Sequence, residues 1–141
     1  MYTFPVKKNP SRIIFAKKID IEEHLARHKL ADIFLDTFNY NGHTTTSDAL
    51  WSGLPVLTKI GESFAARVSA SLLTSIGLPE LITHSEDEYE QLALKLARNP
   101  DQIKLLKDKL RNVRESSNLF NSKLYTKELE QKFRELVYCN Y

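Results

Sequence analysis

The chain of 141 residues is 42% hydrophobic and 27% charged, the make-up of one packed domain and not of a disordered segment. A net charge of +2, with acids interleaved at helical spacing among the bases of the C-terminal third, gives no nucleic-acid footprint, and no apolar run approaches a membrane span. A lone cysteine, Cys139, excludes a disulfide framework, and "MYTFPVKKNPSR" lacks the apolar core of a signal peptide, so a cytoplasmic protein is expected, with Cys139 as a surface or packing residue near a frayed end.

Residues 1–11 are expected to be a disordered or linker lead-in. "RIIFA" (12–16) predicts a first strand, and "IDIEEHLARHKL" (19–30) a helix with Asp20 as its N-cap. "DIFLD" (32–36) predicts a second strand and "TTTSDALWS" (44–52) a short helix, stopped by Gly53 with Pro55 just beyond. "PVLTK" (55–59) reads as a third strand, and residues 63–77 as an amphipathic helix carrying Phe64, Val68, Leu72 and Ile76 and ending at Gly77. This alternation predicts an α/β fold, a Rossmann-like parallel sheet with crossover helices over 12–83. Residues 84–141 read as a helical part of the same domain. Ser85 and Glu88 form a capping-box pair for a helix over 85–98, and Asn99-Pro100 opens the next, striped by Ile103, Leu106, Leu110 and Val113. After a connector (114–122), a last amphipathic helix over 123–138 lines up Tyr125, Leu129, Phe133 and Val137.

The chemistry concentrates in "NYNGHTTTSD" (39–48), a loop that follows a strand and opens a helix. Open α/β sheets bind ligands at such strand ends, and a helix N-terminus offers unpaired N–H groups and a positive dipole end to an anion, most often phosphate. Gly42 would let the backbone turn and approach a ligand, Thr44 and Thr45 add hydroxyl donors, and His43 can donate to a phosphate oxygen or the adjoining sugar. Asp48, one turn deeper, is placed to accept from ribose hydroxyls. The plainer account is that Ser, Thr and Asp gather here to cap the helix, one threonine among them. Neither a Walker loop nor a GxGxxG fingerprint is present.

His24 and His28 stand four apart on the first helix, but the H-E-x-x-H order and a third ligand are missing, so zinc is not expected. His24 could instead stack on a flat base. Glu62 and Arg67 flank another helix start, which the bland reading makes a capped, salt-bridged helix and the functional one a support for the loop. No Asp-x-Asp pair exists to hold a metal-diphosphate.

"RIIFA", "EEH", "NGHTT-x-x-D", "LW-x-G-x-P" and "A-x-RV", in this order and spacing, closely resemble the donor-binding half of the peptide O-linked N-acetylglucosamine transferases that carry tetratricopeptide repeats. The resemblance runs from about residue 12 to 137. It implies the C-terminal half of a GT-B glycosyltransferase, in which two Rossmann-like domains face across a cleft and the C-terminal one holds most of the UDP-sugar. It implies that His24 stacks on uracil, the backbone of Ile19 pairs with the uracil edge, Thr44 and Thr45 hold the diphosphate beside His43, and Asp48 takes the ribose. Transfer of N-acetylglucosamine to Ser/Thr hydroxyls of protein acceptors, with inversion and without metal or other cofactor, follows from the same resemblance.

Two positions depart from the family. A lysine that contacts ribose falls at Ile21, and the position after the paired threonines, often glycine, is Thr46, expected to be neutral on a helix surface. The catalytic residues, the repeats and the N-terminal half precede Met1 in the family's order. The chain is thus expected to be a fragment, or a donor-half subunit needing a partner chain, that binds UDP weakly and does not transfer sugar alone. Two other functions stay open: a non-catalytic nucleotide-binding or interaction remnant, self-associating through the last helix, and a GT-B transferase for another nucleotide sugar.

Overall fold

The computed structural model describes residues 10–138, and its strands form on three short apolar, β-branched runs. β1 (Phe34–Leu35), β2 (Val56–Lys59) and β3 (Ile82–Thr83) run parallel in the order β1-β2-β3, with Phe34 registered on Val56 and Thr58 on Ile82. Helix α2 (Thr44–Trp51) connects β1 to β2, and α3 (Val68–Ser75) connects β2 to β3. Helices α1 (Ile21–Arg27), α4 (Glu86–Ala97), α5 (Pro100–Arg114) and α6 (Ser122–Tyr138) complete the described chain. The parallel sheet with flanking helices is the architecture that the alternating pattern predicts. β3 lies in "LITH", a run too short for its periodicity to separate strand from loop.

The core is a continuous apolar cluster. Ala49 and Leu50 of α2, Val56 of β2, Leu73 and Ile76 around the end of α3, Leu78 and Leu81 before β3, and Leu96 of α4 meet Ile103, Leu106 and Leu110 of α5. Each large member stabilises the fold by roughly 1.5–3 kcal/mol through burial. The α5 stripe is therefore the predicted one, with Val113 packed at its margin. Gly53 and Gly77 have φ of 84° and 80°, the left-handed conformation that ends α2 and α3 where the sequence places helix stops.

Several elements differ from expectation. The strand over 12–16 does not form: Pro10–Arg12 is a 3-10 turn, and Ile14 and Phe15 are 87% and 92% exposed. β-branched residues favour a strand only where a neighbour covers them. Here Arg27 Nη1 donates to Lys17 O (3.0 Å), which holds the following segment to α1 instead of to the β1 edge. Asp20 is the N-cap of α1, but its side chain makes no capping hydrogen bond, and the helix passes into a 3-10 turn at His28–Leu30. The expected helix over 63–77 splits into a 3-10 turn (Phe64–Ala66), capped by Ser63 Oγ, and α3. At α4, Ser85 Oγ accepts from Glu88 N as predicted, while Glu88 Oε2 accepts from His84 N, one residue before the box position. Cys139 and residues 1–9 of the expected lead-in lie outside the described residues.

Candidate functional site

The loop between β1 and α2 is organised by Asp36, the last residue of the β1 run and only 4% exposed. Its Oδ1 accepts from Thr37 N (2.9 Å) and Gly42 N (2.7 Å), and its Oδ2 accepts from Thr58 Oγ1 (2.7 Å). Thr83 Oγ1 in turn donates to Thr58 O (2.9 Å). A polar chain thus crosses the ends of all three strands and terminates on the backbone of Gly42. Asn41, 1% exposed, donates from its amide to Thr37 O and from its backbone N–H to Ala65 O. Asn39 takes φ of 66°, the left-handed turn that Asn tolerates.

These bonds present the N-terminus of α2. Its N-cap is His43, whose side chain makes no capping hydrogen bond, so the expectation that a threonine caps this helix is overturned. The first-turn N–H groups are left for another partner. Thr44 and Thr45 are exposed at this mouth, and Asp48 is half-buried one turn deeper. The His43 ring stacks on Tyr40 (5.0 Å between centroids, 11° between planes) and meets the edge of Phe64, and its Nε2 is buried without a hydrogen-bond partner.

Thr46 corrects a second expectation. It is fully buried, not on the helix surface, and its Oγ1 lies 2.8 Å from Ser69 Oγ. Ser69 Oγ donates to Gly42 O (2.9 Å), so its proton is committed and Thr46 is the donor between the two hydroxyls. Thr46 therefore locks α2 and α3 to the loop. Gly42 has no left-handed φ; a Cβ there would stand 2.5 Å from Thr46 Oγ1 and 2.6 Å from Thr45 Oγ1, and this crowding is what demands glycine.

The other sequence candidates divide. Glu62 and Arg67 flank the turn that meets the loop, where Ala65 O accepts from Asn41 N and Phe64 touches His43. No ion pair joins Glu62 to Arg67 among the described residues, so the salt-bridged part of that reading fails, while the turn is indeed capped, by Ser63 Oγ accepting from Ala66 N. His24 is not brought onto the loop by any hydrogen bond or ring contact among the described residues. Its Nδ1 lies 2.6 Å from Arg27 Nη2, and its ring meets His28 edge-on at 4.8 Å. Ile19 lies in the segment that leads into α1. No group of three potential metal ligands exists among the described residues.

Asp36, Asn41 and Ser69 escape the sequence reading, as does Tyr89, whose hydroxyl donates to Asp36 O (2.9 Å). The available signal was an acid at the end of an apolar strand run. Burial first, and the Asp36 charge second, push the Tyr89 phenol from its usual 10 up to about 12. The folded protein keeps this proton after the unfolded chain has lost it. The stability it carries is therefore present below pH 10 and drains as pH rises from 10 towards 12, by roughly 1 kcal/mol after solvent screening of a partly exposed ring. Urea midpoints at pH 9 and 11.5 should show this loss, and Tyr89→Phe should reduce it.

A family model, Glycosyl transferase family 41, matches residues 3–129. A Caenorhabditis elegans UDP-N-acetylglucosamine–peptide N-acetylglucosaminyltransferase is 42% identical over 122 residues, 86% of this chain and 11% of that protein. The Arabidopsis thaliana SEC protein, named a probable UDP-N-acetylglucosamine–peptide N-acetylglucosaminyltransferase, is 40% identical over 134 residues, 93% of this chain and 14% of its own length. A mutant O-GlcNAc transferase of Thermobaculum terrenum superimposes with a TM-score of 0.77 at 36% identity, covering 83% of this chain and 22% of that one. The chain thus spans 11% and 14% of the length of these two curated relatives.

Proposed function

This chain belongs to glycosyl transferase family 41, and we propose that it is the donor-nucleotide-binding part of a protein O-GlcNAc-type transferase, taking UDP-N-acetylglucosamine as donor for Ser/Thr hydroxyls. The observation that carries this reading is the uncapped mouth of α2, with two exposed threonines and a buried, unpartnered imidazole nitrogen beside it. The N–H groups and hydroxyls of Thr44 and Thr45 hold the diphosphate. In the tautomer with hydrogen on Nε2, His43 donates to a phosphate oxygen. Asp48 accepts from the ribose, His24 stacks on uracil, and the Ile19 backbone pairs with its edge. Gly42, with Glu62 and Arg67 on the neighbouring turn, supports the loop.

Sugar transfer leaves negative charge on UDP, and fixed donors aimed at that charge are what a helix mouth supplies. The same reading gives inversion without a metal and a cytoplasmic setting. No helix among the described residues is long and apolar enough to cross a membrane. The catalytic residues, the acceptor-binding repeats and the remaining diphosphate contacts come from an N-terminal half or a partner chain, so this chain alone binds UDP weakly and transfers no sugar.

Calorimetric titration of UDP tests the site. Thr45→Val keeps the side-chain volume and removes one donor to a charged ligand, so UDP affinity should fall about tenfold with little change in Tm. Unchanged affinity would defeat this assignment.

A second reading is favoured by α6, where Tyr125, Phe133 and Val137 are 64%, 59% and 58% exposed along one face. In that reading the chain is a non-catalytic nucleotide-binding module that self-associates through this helix. Sedimentation decides it: Phe133→Asp should dissociate any dimer, and a monomeric wild-type chain removes the reading.

A further inference from the structure

At the N-terminal edge of the sheet, opposite the α2 mouth, a cavity of about 360 Å³ is lined by His28, Lys29, Ser52, Lys107, Arg111 and Arg114, and by no carboxylate. Part of this positive charge has a structural role. Lys107 Nζ donates to Ala31 O (2.8 Å) and pairs with Asp32, and Arg114 Nη1 donates to Trp51 O (2.8 Å) at the end of α2. Arg111 pairs with Asp108 on its own helix. Capping alone does not account for the remainder. Lys29 makes no ion pair among the described residues, and Ser52 Oγ and Arg114 Nε are buried without hydrogen-bond partners. Asp32 and Glu115, which pair with Lys107 and Arg114, have side chains 79% and 81% exposed and stand outside the lining, where solvent screens them.

We propose that this cavity binds a small anion of the phosphate monoester class, at a site separate from the donor mouth. A guanidinium, an ammonium and a hydroxyl donor converging on one space match the several acceptor oxygens and the double charge of phosphate. The volume leaves room for an organic group beyond the phosphate. Because the site sits at the C-terminal end of α2, it does not use the N–H groups that the donor reading requires.

Inorganic phosphate titrated into the full chain should shift the amide resonances of Lys29, Ser52 and Gly53 and saturate. The double variant K29Q/R111Q removes two cations that hold no core packing. It should weaken phosphate binding at least tenfold while leaving UDP affinity within twofold. Ser52→Ala should weaken phosphate severalfold, and Thr45→Val should do the reverse of the double variant, weakening UDP alone. Glycerol 3-phosphate should bind at least as tightly as inorganic phosphate. Shifts confined to the α2 mouth, or unchanged phosphate affinity in K29Q/R111Q, would overturn the proposal. Phosphate shifts that persist in a chain showing no UDP binding would remove the donor reading and leave this one standing.

Discussion

Asp36→Ala should lower stability by about 3–5 kcal/mol and abolish detectable UDP binding, the largest effect expected of any single polar substitution in this chain. The carboxylate is buried and accepts from Thr37 N, Gly42 N and Thr58 Oγ1. Its removal strands the buried Thr58 hydroxyl and takes the acceptor from the part-buried N–H groups of Thr37 and Gly42, and each such group costs about 1–3 kcal/mol, not additively. Asp36→Asn separates the parts. Its amide oxygen can still accept from Gly42 N, and its NH₂ can donate to Thr58 Oγ1, whose proton then turns elsewhere. That variant should lose about 1–2 kcal/mol and keep a measurable fraction of UDP affinity. Urea titration with calorimetry reads both quantities, and an Asp36→Ala protein within 1 kcal/mol of wild type would show that the loop is held by something else.

The difference between what the residues announced and what they concealed has a physical basis. Period and punctuation belong to single segments, so the α5 stripe, the Gly53 and Gly77 stops and the Ser85 cap were legible. The Asp36–Thr58–Thr83 chain joins residues far apart in sequence through a strand register that no local pattern encodes. Thr46 shows the same limit: three consecutive threonines look alike on paper, yet helix rotation exposes Thr44 and Thr45 and buries Thr46 against Ser69. "RIIFA" has the composition of a strand, but pairing decides whether such a run becomes one, and here the following residues are tied to α1 instead. The sequence points to the loop from Gly42 to Asp48 as the candidate site, but not to the buried Asp36 and Ser69 contacts that hold that loop.

Gly42→Ala tests that support from the opposite side, by adding atoms rather than removing them. Its new methyl would stand 2.5 Å from Thr46 Oγ1 and 2.6 Å from Thr45 Oγ1. The exposed Thr45 side chain can rotate away at little cost. Thr46 cannot, because it is buried and bonded to Ser69, which in turn holds Gly42 O. The loop must therefore shift, at about 2–3 kcal/mol, and the mouth of α2 shifts with it, so UDP affinity should fall at least about tenfold. Thr46→Ala alone should cost about 1 kcal/mol by losing one buried hydrogen bond. In the double variant the overlapping oxygen is gone, so the combined loss should be smaller than the sum and part of the UDP affinity should return. Strictly additive losses in this cycle would mean that Gly42 and Thr46 act independently, and that glycine is needed at position 42 for a reason other than the threonine packed against it.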